Sequence, residues 1–84
     1  MAIDFDPAKD ALNRAKHGVS LAAAADLDIR VRLVDPRFTA ERRFRAYGYI
    51  EGRGFCLAYT LRDGRVRAIS LRPARAKEMR RYGA

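Results

Sequence analysis

The chain has 84 residues, a mass of 9.5 kDa, one cysteine and a formal charge of +8. That length allows a single domain, in which about 63% of the unfolded chain's surface can be buried, and one Cys excludes a disulfide framework or a Cys-based zinc site. No apolar run reaches the ~18 residues of a membrane span and Met1 to Pro7 lacks the regions of a secretory signal, so a soluble cytoplasmic protein is expected.

Ala2–Phe5 alternates apolar and polar and predicts a short strand. Asp6-Pro7 then starts a helix over 7–17, with Asp as N-cap and Pro at the first helical position. Within it Ala8, Ala11, Leu12 and Ala15 form a narrow apolar stripe. Lys16 and His17 complement the dipole of the last turn, and Gly18 stops the helix. Ser20 caps a second, shorter helix over 21–25, although Ala23 stands where a capping box would place Glu.

After Asp28 the period changes from 3.6 to 2. Ile29, Val31 and Leu33 alternate with Arg30 and Arg32 in a half-buried strand, which Asp35-Pro36 ends, opening a loop to about Ala40. Phe44, Ala46, Gly48 and Ile50 alternate with Arg43, Arg45, Tyr47 and Tyr49 in the next strand. A tight connection at 51–54, an apolar strand over 55–61, a turn at 62–64 and a strand over 65–71 complete an antiparallel meander that Pro73 stops. A charged helix over 74–82 follows, in which Glu78 lies three residues from both Arg75 and Arg81. The fold class expected is α+β: a four-stranded antiparallel sheet, a possible extra N-terminal strand, two N-terminal helices on one face and a C-terminal helix.

The excess charge is confined to one half. Residues 1–40 hold six basic and six acidic side chains, whereas residues 41–84 hold 12 basic and four acidic. Arg outnumbers Lys by 15 to three. Arg is favoured where a planar fork grips phosphate or stacks on a base, which points to a polyanion; a GC-rich genome would also raise Arg and Ala.

Period-2 geometry puts Arg43, Arg45, Tyr47 and Tyr49 on one sheet face, opposite the apolar set that helices cover. Such a face could hold single-stranded RNA, or be an ordinary solvated surface with cross-strand aromatic pairs. Arg65, Arg67, Ser70, Arg72 and Arg75 cluster on and after the last strand, offering an anion site or plain surface charge. His17 is the only histidine and serves either as a general acid or base or as a helix cap. Cys56, inside an apolar strand, reads as inert core. No P-loop, acidic cluster or Ser/His/Asp set is present, so neither metal nor cofactor is expected.

These residues fall into blocks. Phe5-Asp6-Pro7-Ala8-Lys9, Asn13 and Lys16-His17-Gly18-Val19-Ser20 resemble the amino-terminal signature of BrnT-type toxins. Glu41 to Gly48, Tyr59-Thr60 with Arg62, and Arg67-Ala68-Ile69-Ser70-Leu71-Arg72-Pro73-Ala74 with Glu78 and Tyr82 resemble the carboxy-terminal half. The segment 26–35 departs from that pattern by lacking an aromatic-rich stretch. The resemblance implies a ribonuclease toxin with a RelE-like fold, RNA as substrate, and neutralisation by a ribbon-helix-helix antitoxin of the BrnA type. Operator DNA would be met only through the toxin–antitoxin complex. The chemistry this suggests is metal-independent endonucleolytic cleavage, the RNA's own 2′-OH attacking the adjacent phosphate. Arg43, Arg67 and Arg72 would stabilise the phosphorane and His17 would transfer a proton. Lys16, Arg45, Tyr47, Tyr59, Ser70 and Arg75 would bind RNA, with Tyr59 able to assist proton transfer. Two other readings stay open: a module that binds RNA or DNA without cutting it, and a scaffold whose Arg face meets an acidic protein.

Overall fold

The computed structural model describes residues 2–84. Alternating strands build its sheet: β2 (Asp28–Asp35), β3 (Arg43–Ile50), β4 (Arg53–Arg62) and β5 (Arg65–Pro73) pair antiparallel in sequence order, the first two joined by a loop over 36–42 and the others by two-residue turns. Glu51-Gly52 and Asp63-Gly64 all take positive φ, the geometry of hairpin turns whose twist matches the flanking strands. A fifth strand, β1 (Ile3–Asp4), adds in parallel to the outer edge of β5 at Val66 and Arg67. The expected meander is therefore present, and the extra N-terminal strand makes the sheet mixed. Gly48 has a steric reason: a Cβ there would collide with the Asp28 carbonyl of β2.

Helix α1 (Pro7–His17) begins and ends where local signals place it. The Asp6 carboxylate accepts from the Ala8 N–H at 2.8 Å, and Gly18 caps the end in the left-handed region. Its apolar stripe, however, faces outward: Ala8, Ala11 and Ala15 are exposed and Leu12 is 70% exposed. The side chain it buries is Asn13, whose amide donates to the Val19 and Leu71 carbonyls and accepts from the Leu71 N–H, all at 2.9–3.0 Å. Asn13 thus satisfies the edge of β5 beyond the reach of β1. Asp10 accepts from Ser20 Oγ at 3.0 Å and the Leu21 N–H at 2.7 Å, supplying from α1 the carboxylate missing at Ala23. Three small Ala side chains bury too little area to compete with these polar anchors. The second helix is a 3₁₀ helix over Leu21–Asp26.

The sheet is covered on both faces, not one. Leu21, Ala24 and Leu27 pack on Ala46, Phe55, Leu57 and Leu71 of the first face. The C-terminal helix α2 (Ala76–Arg81) crosses the second face and buries Met79 against Tyr47 and Cys56. The expectation of an open face displaying both Tyr47 and Tyr49 is corrected here: one hydrophobic Met and the Tyr82 ring inside a charged segment suffice to seat that helix. No helix is long and apolar enough to cross a membrane among the described residues.

Candidate functional site

Cross-strand register sorts the second face into rows. Asp35, Arg43, Thr60 and Arg67 form one; Leu33, Arg45, Ala58 and Ser70 form the next; Val31, Tyr47, Cys56 and Arg72 form the third. Helix α2 roofs the third row, where Tyr47 is fully buried and stacks on Tyr82 with centroids 4.7 Å apart. The other rows stay open below the β2–β3 loop. Small Ala58 and Ser70 in the middle leave a trough between the arginines.

A register shift between β4 and β5 leaves Ile69 without a pairing partner, bulging the strand at the centre of this region. Three adjoining hollows of about 650, 510 and 470 Å³ share Ile69 in their walls. The first holds Lys9, Arg43 and Arg67; the second Arg43, Arg45, Ser70 and Arg72; the third Lys16, His17, Ser70 and Arg72. The fold thus gathers His17, Arg43, Arg67, Arg72, Lys16, Arg45 and Ser70 from α1 and two strands onto one basic surface. Three expected binding residues stand elsewhere. Tyr47 is sealed under α2; Tyr59 packs on Phe44 on the opposite face at 5.3 Å; Arg75 borders a separate groove along α2. Parity placed Tyr47 on the correct face, but it is a core residue, and Tyr59 follows the apolar parity of β4.

The arginines differ in what holds them. Arg72 forks onto Glu78 through Nη1 and Nη2 at 2.8 and 2.7 Å, and Glu78 also accepts from the Tyr47 hydroxyl at 3.1 Å. Glu78 therefore pairs across to the sheet, not along its helix with Arg75 or Arg81 as its spacing suggests. The Arg72 fork holds the Glu78 carboxyl below its ordinary range, and the same hydrogen bonds push Arg72 further up. Arg67 donates to Asp4 at 2.8 Å. Arg43 has no carboxylate partner among the described residues; its guanidinium lies 4.0 Å over the Phe38 ring. Arg45 likewise has no carboxylate, donates to the Tyr47 hydroxyl at 3.2 Å and leaves its buried Nε without a partner. Burial pushes the Cys56 thiol up, consistent with inert core.

Sequence reading places the β2–β3 loop after Asp35-Pro36 but gives it no part in the site. Asp35 is buried and accepts from the Arg37 N–H, Nε and Nη2 at 3.1, 3.0 and 2.7 Å; these bonds outweigh its burial and hold its carboxyl at about 2. An aromatic following Asp-Pro-Arg in an otherwise polar loop was the available signal. Among the described residues no group of three or more His, Cys, Asp or Glu side chains is placed to hold a metal ion.

A family described as the ribonuclease toxin, BrnT, of type II toxin–antitoxin systems matches residues 5–78. Among solved structures, the chain is similar to the Brucella abortus ribonuclease toxin BrnT, known from a 1.1 Å crystal structure. The two share 26% sequence identity and a TM-score of 0.69, over 89% of this chain and 97% of that one. No curated protein matches.

Proposed function

The chain belongs to the BrnT family of ribonuclease toxins of type II toxin–antitoxin systems, and on that premise we propose that its basic sheet face is the active site of an endoribonuclease that needs no metal. The observation that carries this reading is the convergence of His17, Arg43, Arg67 and Arg72 on hollows that meet at the Ile69 bulge. In the reaction, the 2′-oxygen forms a bond to phosphorus and the bond to the 5′-oxygen breaks. The 2′ proton leaves to a base, and the departing 5′-oxygen takes one up. His17, beside Lys16 at the end of α1, is the group we assign to proton transfer. The phosphorane gains negative charge, and arginines already in place stabilise it without reorganisation. Arg43 and Arg45 offer donors unclaimed by carboxylates. Arg67 keeps its remaining N–H groups, whereas Arg72, forked onto Glu78 with its charge offset by that carboxylate, serves chiefly to hold the wall of the site in place. Ser70 lines the trough between them.

The α+β sheet is read as RelE-like, the site of action as the cytoplasm, and the antitoxin as a ribbon-helix-helix protein of the BrnA type that neutralises the toxin. Operator DNA is met through that complex.

Incubating the pure protein with RNA in EDTA tests the activity. Fragments ending in a 2′,3′-cyclic phosphate, lost in His17→Asn, are expected. Intact RNA that stays bound would make the chain a binding module instead. Cleavage by His17→Asn at the wild-type rate would take His17 out of the reaction, because Asn suits a helix end but cannot carry the proton.

A further inference from the structure

We propose that Phe38 is a positioning residue that holds the Arg43 guanidinium ready for phosphate without consuming its donors. The inference rests on the reading of the basic face as the RNA-cleaving site, and it explains how the one face contains two sorts of arginine. A carboxylate fixes a guanidinium by occupying N–H groups and cancelling charge, as Glu78 does to Arg72. An aromatic ring fixes it through its π-face, leaving the in-plane N–H groups and the full charge available. Arg43 has the second arrangement, with its Cζ 4.0 Å from the Phe38 centroid. A long side chain at the start of β3 would otherwise sample many rotamers, and that freedom would have to be lost in the transition state.

The ring is itself held in place. Buried Asp35 grips the Arg37 backbone and guanidinium, and the Phe38 N–H reaches the Asp35 carbonyl at 3.4 Å. The Arg37 guanidinium lies 5.5 Å from the same ring. Phe38 belongs to neither apolar core, yet it lines both hollows that contain Arg43. Core packing therefore does not account for it, whereas orientation of Arg43 does.

The test is a mutant cycle read by RNA-cleavage kinetics and by NMR of the RNA-free protein. Phe38→Leu should lower kcat roughly three- to thirtyfold, the equivalent of a cation–π contact, with KM nearly unchanged. Phe38→Tyr and Phe38→Trp should restore kcat, since either ring can stack. In an Arg43→Ala background Phe38→Leu should change nothing further. The Arg43 side-chain protons should be shifted upfield by the ring current, and Phe38→Leu should remove that shift. Unshifted Arg43 resonances would overturn the proposal with no RNA present, even if the wild-type protein cleaves nothing and the ribonuclease reading itself falls. Wild-type kcat in Phe38→Leu would overturn it while leaving that reading intact. A loss confined to KM, or an equal loss without Arg43, would make Phe38 a base platform and overturn it too.

Discussion

The covered and open ends of the sheet's second face use the same residue type for different work. Under α2, Arg72 closes a circuit with Glu78 and Tyr47, and Tyr82 stacks above it. Below the β2–β3 loop, Arg43 meets an aromatic ring and no carboxylate. A guanidinium whose fork and charge are both satisfied internally is a structural tie. One held only from its flat side remains a ligand for an incoming anion. Position on a strand does not separate the two, because parity puts both on the same face; the partner residue does.

The largest expected effect is at the open end. Arg43→Ala should reduce RNA cleavage by roughly 10²–10³-fold, the usual cost of removing one preorganised donor. Its thermal stability should stay within about 0.5 kcal/mol of wild type. Arg72→Ala should show the reverse weighting. It strands a half-buried Glu78 and loosens α2, so unfolding in urea should reveal a loss of about 1–3 kcal/mol. Cleavage by the folded fraction should fall less than in Arg43→Ala. A stable but inactive Arg72 variant beside a destabilised, active Arg43 variant would break the comparison.

Such a division was only partly legible in the sequence. Capping signals at Asp6 and Gly18 are local, so the bounds of α1 could be read directly, as could the strand alternation and both hairpin turns. The inner face of α1 could not, because Asn13 acts on Leu71, 58 residues away. The roof over the second face was hidden for a similar reason: Met79 and Tyr82 look isolated among charges until the sheet supplies Tyr47 and Cys56. Arg43 could be named from strand parity and His17 from its helix end, both short-range properties; Arg67 and Arg72 could be named only as a basic cluster, because their opposite parity in β5 comes onto one face through the bulge at Ile69. The Phe38 stack could not, since it depends on how Asp35 and Arg37 fold the loop.

Acid separates the two ends further. Both carboxylates titrate below their ordinary values in the folded chain, so each stabilises the fold at neutral pH and loses that contribution on acidification. The Glu78 contribution is complete above its ordinary value of 4.5 and declines below it. The Asp35 contribution is complete above 3.8 and is gone only below about 2. Melting curves at stepped pH should therefore show the α2 end loosening first. Glu78→Gln should flatten the early fall in melting temperature, and Asp35→Asn the later one. An unaltered pH profile in Glu78→Gln would mean that the Arg72 fork carries no linkage.

The smallest effect tests whether the covered end has any business with RNA. The Tyr47 ring is fully buried, so its stacking surface belongs to Tyr82 and Met79. Only its hydroxyl is exchangeable: it accepts from Arg45 at 3.2 Å and donates to Glu78 at 3.1 Å. Tyr47→Phe keeps the ring and removes both bonds, which should cost about 0.5–1.5 kcal/mol of stability. Binding to single-stranded RNA should keep its salt dependence, because no phosphate contact is lost. Arg43→Ala, by contrast, should lower the log–log slope by about 0.7, the share of one phosphate on a single strand. If Tyr47→Phe lowered the slope as much as Arg43→Ala, Tyr47 would be holding Arg45 in place for phosphate. The covered end would then be part of the binding surface, with Arg45 as the link between the two.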